Sequence, residues 1–221
     1  MNVASDRDGL DAGPFDTWLT QFTSSLRGGR GNVVPCGNCV GCCVSSHFVH
    51  VRPQDTQALR RIPRHLLVRA PGLPPGHKLL GFGTDGSCPM LRQSQCSIYE
   101  HRPGTCRDYD CRVFAAAGLL ASGPEDSAIN QRVRRWRFSY ATKHDQDTHQ
   151  AVKDAAAFIQ QQASHFPDAR VPMAPGDIAI LAVKAHAVFL EIDSNQTPQQ
   201  VAQAIIRANH DFGDAMSRSG H

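Results

Sequence analysis

The stretch Cys36-Gly37-Asn38-Cys39-Val40-Gly41-Cys42-Cys43 decides how the rest of this 221-residue chain is read. It packs four thiols into eight residues, and the glycines between them permit the backbone turns that aim sulfurs at a common point. Four more cysteines follow at positions 88, 96, 106 and 111, so all eight fall within one 76-residue window and none lies outside it. Such a density marks a disulfide scaffold in an exported chain and a metal or redox site in a reducing compartment. Met1 to Asp16 carries Asp6, Arg7, Asp8 and Asp11 and contains no apolar run, so no secretory signal is legible there. The expectation is therefore a cytoplasmic protein with reduced thiols, and a disulfide framework is the minor alternative.

Reduced thiols at CxxC spacing point to zinc or iron, because deprotonated sulfur is a soft donor that oxygen ligands do not match. Neighbouring side chains usually point apart, so Cys42 and Cys43 are not expected on the same ion without strain, and the pair hints at two centres. The expected ligands are Cys36, Cys39, Cys42, Cys43, Cys88, Cys96, Cys106 and Cys111, divided between one or two centres. The expected cofactor is an iron–sulfur cluster or Zn2+. A CxxCxxC triplet closed by a distant Cys-Pro, here Cys88-Pro89, tilts the reading toward the cluster.

Charge agrees with an anionic centre. Residues 30–112 carry 11 basic and five acidic side chains, an excess of +6, whereas the rest of the chain has a deficit of 3. Arg102, Arg107 and Arg112 are candidates to offset thiolate charge, against the bland alternative of a solvated basic face. The whole-chain net charge of +3 is too mild to imply nucleic acid or an anionic membrane. The longest apolar stretch, Ile178 to Ile192, is broken by Lys184, His186 and Glu191 and is too short to span a bilayer.

Element signals predict an α+β protein in three parts. In residues 1–29, Phe15, Trp18, Leu19, Phe22 and Leu26 recur at helical spacing before Gly28-Gly29. In residues 30–112 the expected elements are short: a strand over 48–51, a helix from Pro53 to Ile62, an irregular tract over 70–76, and a meander of strands over 78–82, 88–91 and 96–99. A helix opened by Pro103 then carries Cys106. Residues 113–221 read as mainly helical. There Pro124 starts a helix with Ile129, Val133 and Trp136 on one stripe, Ala151 to Phe158 form a second, and Thr197-Pro198-Gln199-Gln200 caps a third.

Together, the run Cys36 to Cys43, Cys88-Pro89-Met90-Leu91, Cys96-Ser97-Ile98-Tyr99-Glu100-His101-Arg102-Pro103 and Cys106-Arg107-Asp108-Tyr109 resemble the YkgJ-type cysteine-cluster family, described as zinc- or iron-chelating. The likeness covers roughly residues 35–112. It implies family positions for every cysteine except Cys111, which matches only a subset of members. A flagellin lysine N-methylase carries a similar cysteine domain, so protein methylation is the enzymatic alternative that the resemblance implies. The chain has no glycine-rich strand-to-helix turn with a following acidic residue, and CxxCxxC is not the CxxxCxxC of radical adenosylmethionine enzymes.

The leading expectation is a metal-binding protein with a structural, metal-handling or electron-transfer role. Metal ions are its expected partners, a protein partner or substrate is possible, and no membrane is expected. The alternatives are the methylase-like enzyme and a nucleic-acid-binding zinc module. Arg132, Arg134, Arg135 and Arg137 around Trp136 would serve the last, but read more simply as a solvated helix face. His47 and His50 read as surface or supporting residues, and Asp193 to Thr197 as a turn. No GxSxG or phosphate-binding loop is present.

Overall fold

In the computed structural model, which describes residues 9–29, 31–69, 72–125, 127–167, 171–191 and 195–218, the chain divides into two units that do not follow its order. A cysteine unit comprises residues 30–110 and 123–132, and a helical unit comprises residues 1–29, 111–122 and 133–221. Expectations for Met1 to Asp8, for Ala70 and Pro71, and for Asp193 and Ser194 lie outside the described residues.

The fold is α+β. The cysteine unit centres on a three-stranded antiparallel sheet of order β2-β4-β3, formed by β2 (Val49–Val51), β3 (Leu67–Val68) and β4 (Lys78–Leu80). Val49 pairs with Leu80, and Leu80 with Leu67, so alternation puts Val49, Leu67, Leu80 and Val51 on the core side. Helix α2 (Thr56–Arg61) covers them with Ala58 and adds the following Ile62. It starts three residues later than Pro53 suggests, because the Asp55 carboxylate accepts the Arg52 amide at 2.9 Å and closes a turn first.

The expected meander is not formed. β4 pairs on both edges with β2 and β3, and the next hairpin is a separate two-residue ladder of β5 (Leu91–Arg92) and β6 (Gln95–Cys96). Gln93 and Ser94 link its strands with φ of 49° and 60°, left-handed backbone that favours Asn-Gly. Ser94→Gly should therefore raise the stability of this unit by about 1 kcal/mol, read as the shift in its denaturant midpoint. The expected strands over 88–91 and 96–99 are thus present only as the short β5–β6 ladder, a 3-10 turn over Tyr99–His101 takes the end of the second of them, and α3 (Gly104–Asp108) follows as expected.

In the helical unit, β1 (Leu10–Pro14) runs into α1 (Phe15–Leu26) and pairs in parallel with β7 (Trp136–Ser139). Trp136 thus lies in a strand rather than on the stripe of the preceding helix, α5 (Ala128–Arg135), although it is buried as expected. The ladder slips between Asp11 and Gly13, and Gly13 sits at φ 86°. The bulge frees the Ala12 carbonyl, which accepts from the buried Arg112 guanidinium at 3.1 Å.

Helices α4 (Arg112–Ala117), α6 (Lys143–Gln161), α7 (Pro175–Leu190) and α8 (Pro198–Arg218) supply the rest. α6 and α7 meet through buried alanines, Ala151, Ala155 and Ala156 on one and Ala179, Ala182 and Ala185 on the other, whose small side chains allow close approach. The predicted cap of α8 is present: Gln200 N–H donates to Thr197 Oγ1 at 3.3 Å, and Thr197 N–H to Gln200 Oε1 at 2.8 Å.

One buried histidine gives this unit an acid limit. His149 on α6 stacks on Phe15 at 4.4 Å, and its Nδ1 lies 2.6 Å from Tyr140 Oη. Burial, aided by the Lys153 charge, holds its pKa down to about 4. An unfolded histidine titrates near ~6.5, so below that pH the unfolded chain takes up a proton that the folded one refuses. The contribution is whole above about pH 6.5 and is lost as pH falls toward 4, up to about 3 kcal/mol. Thermal unfolding of the helical signal should show this loss, and His149→Phe should flatten it.

Candidate metal centre

Each cysteine is placed by a local backbone device. The first CxxC is a turn closed by Cys39 N–H to Cys36 O at 2.9 Å, with Gly37 at φ 54°. A 3-10 turn over Gly41–Val44 then presents Cys42 and Cys43, whose sulfurs stand 4.0 Å apart. Gly41 is required by proximity: a Cβ there would lie 3.0 Å from Ile129 Cα and 3.1 Å from Ile129 N, backbone of α5 that cannot swing aside.

Cys88 is fastened to this run by its own N–H, which donates to Cys43 O at 2.7 Å, and a further turn closes from Leu91 N–H to Cys88 O. Across the hairpin Leu91 pairs with Cys96, and both Cys88 and Cys96 pack against the apolar core next to Met90 and Ile98. Cys106 sits on α3, held by a buried carboxylate. Asp55 Oδ1 accepts the Gly104 amide at 2.8 Å and lies 3.5 Å from Arg107 Nη2. Thr105 Oγ1 donates to the His50 carbonyl, and Asn32 bonds the carbonyls of Arg107 and Asp108, so the helix is tied at both ends.

Seven of the eight expected ligands therefore belong to the cysteine unit. Cys111 belongs to the helical unit, where the Trp136 indole N–H donates to its sulfur at 3.3 Å. None of the eight is joined in a disulfide. Cys42 is exposed and the others half-buried. Among the described residues, no three His, Cys, Asp or Glu side chains stand close enough together to hold an ion as placed.

The thiols do feel one another. Burial raises the pKa of Cys36, with further contributions from Cys42 and Cys39. Cys88 is raised chiefly by burial, and Cys96 and Cys42 add to it. Burial pushes Cys106 up to about 12, again with Cys42, Cys88 and Cys96 contributing. Cys42 is held far above the usual thiol range, first by its hydrogen bond with Cys43 and then by the protein packed around its sulfur, although the residue as a whole is exposed. Without a cation these groups keep their protons, and Cys42 is the common neighbour. The donor set, soft sulfur with no carboxylate interleaved, suits zinc or iron.

The counter-charges differ from those expected. Arg102 faces the thiols and lowers Cys42 and Cys106, while its guanidinium lies 4.0 Å from the centre of the Tyr99 ring and bonds the Tyr99 carbonyl. Arg107 is turned to Asp55 and to the Arg102 carbonyl, and Arg112 lies in the other unit. Arg132, expected on a solvated face, instead donates to the Pro35 carbonyl at 2.7 Å and lowers Cys36. No local spacing signals this, because residues 123–132 return to the cysteine run from far along the chain.

No helix among the described residues is long and apolar enough to cross a membrane. Comparison with curated proteins and with solved structures gives no match. A family model, CxxCxxCC, matches residues 35–125, and its description reads "Putative zinc- or iron-chelating domain". This matched stretch, less than half of the chain, includes all eight cysteines. The cysteine cluster expected from the sequence thus falls within a stretch that matches the CxxCxxCC family model.

Proposed function

We propose that the cysteine unit binds zinc or iron through thiolates of Cys36, Cys39, Cys42, Cys43, Cys88, Cys96 and Cys106, in a structural or electron-transfer role. The carrying observation is that these seven thiols lie in one unit and that Cys36, Cys43, Cys88 and Cys106 each have Cys42 as an electrostatic neighbour. Protons that burial and mutual repulsion keep on the sulfurs would be displaced by the cation, whose positive charge reverses the balance. The sulfurs need to close further around the ion, which side-chain rotation on the 3-10 turn and the β5–β6 hairpin would allow. Arg102 and Arg132 offset the residual negative charge. Cys111 serves the helical unit as acceptor for Trp136.

Between the two metals, the Cys88-Pro89 step and the CxxCxxC triplet favour an iron–sulfur cluster. Anaerobic purification followed by elemental analysis and a visible spectrum tests this. Iron with sulfide and a thiolate-to-iron band supports the cluster, and colourless protein with stoichiometric zinc supports a zinc centre. Absence of both metals from protein purified and reconstituted anaerobically would refute metal binding.

A further inference from the structure

The outer face of the β2-β4-β3 sheet, opposite the core side, carries two further side chains able to ligate a metal. His50 Nε2 on β2 lies 2.7 Å from Nδ1 of His77, the residue preceding β4. The ring centroids are 4.8 Å apart, which leaves little more than a ring radius at either end of the N···N contact. The imidazoles therefore meet nitrogen to nitrogen rather than face over face. Both residues are half-buried, so the pair is walled by protein on one side and open on the other. His50 is anchored by its strand pairing to Leu79 and by the Thr105 hydroxyl on its carbonyl, and His77 by a turn to the Pro74 carbonyl.

We propose that His50 and His77 form a cross-strand bis-imidazole site for an exchangeable divalent cation of borderline softness, of the zinc class. Imidazole nitrogen is the common protein donor for such ions. In the hydrogen bond one neutral ring donates and the other accepts, yet each still owns one lone pair. To offer both facing nitrogens to an ion, the donor ring transfers its proton to its far nitrogen. No net proton is lost and both rings remain neutral. With Zn–N near ~2.0 Å on each side and tetrahedral angles, the facing nitrogens must part by roughly 0.6 Å from their present distance. Rotation of the His77 side chain supplies that movement. Two protein ligands leave the remaining positions to water, so the ion is held weakly and exchanges.

Zinc chloride added to the isolated, metal-replete protein tests the site, with the imidazole nitrogens followed by 15N NMR. The expected result is a joint shift of His50 Nε2 and His77 Nδ1 that saturates with one equivalent beyond the metal held by the thiols. His50→Gln and His77→Gln should each weaken that extra equivalent at least tenfold and leave the thiol-bound metal in place. Resonances of His50 and His77 that stay fixed at saturating zinc would overturn the proposal, whatever the thiols bind. Movement at these rings with no metal on the cysteines would support it and would count against the thiolate centre alone.

Discussion

Removal of the bound ion with a strong chelator under reducing conditions is expected to unfold the cysteine unit and leave most of the helical signal standing. The two units differ in what holds them. α6, α7 and α8 bury a continuous apolar seam that includes Val152, Ile159, Val183 and Ile205. The cysteine unit has a sheet of two- and three-residue strands and a core of six buried side chains: Val51, Ala58, Ile62, Leu80, Met90 and Ile98. So small a core supplies only a few kcal/mol, roughly 3–5, and thiolate ligation is the usual supplement. Structural zinc contributes on the order of ten kcal/mol in small metal-dependent folds. A loss of roughly 10 °C or more in the unfolding temperature of this unit is expected, seen by proteolysis or hydrogen exchange over residues 31–110. If the chelated protein exchanges there no faster than the untreated one, the fold does not depend on metal.

Asp55→Ala is expected to destabilise the cysteine unit strongly. The Asp55 side chain is 2% exposed. It receives the Arg52 and Gly104 amides and has Arg107 beside it, joining the β2–α2 turn to the helix that bears Cys106. Alanine would leave the buried Gly104 amide without an acceptor, and the loss of charge-assisted bonds brings the cost to about 3 kcal/mol. Asp55→Asn keeps one acceptor oxygen and should lose less. Asp108 is the control. Its pair with Arg52 spans 3.4 Å with both side chains 39% exposed, where water competes, so Asp108→Ala should cost well under 1 kcal/mol. Denaturant midpoints of the metal-replete variants separate these outcomes, and equal losses for the two alanine variants would contradict this account. A drop in metal content should accompany the Asp55 change, since the helix it secures positions Cys106.

The helical elements with sharp local signals were legible. Phe15, Trp18 and Phe22 mark α1 by their spacing, and Thr197-Pro198 marks the start of α8 by its capping chemistry. Both signals act within one or two turns of chain. The meander failed because runs of two or three residues carry no pairing information: nothing in Lys78–Leu80 says that its neighbours are β2 and β3 rather than the strands that follow. β1 escaped notice for the same reason, since it pairs with a strand more than 120 residues away.

What the sequence determined by itself was chemistry: eight thiols at short spacings, the residues able to face a soft cation, and the family model that their pattern matches. Which thiols share a unit was decided only by the tertiary structure. Cys111 stands five residues from Cys106 yet folds with the helices, while Arg132 approaches Cys36 across almost a hundred positions. Ligand type is written in single residues, but a site's membership and its balancing charges depend on contacts between segments distant along the chain, and these are fixed by packing rather than by local spacing.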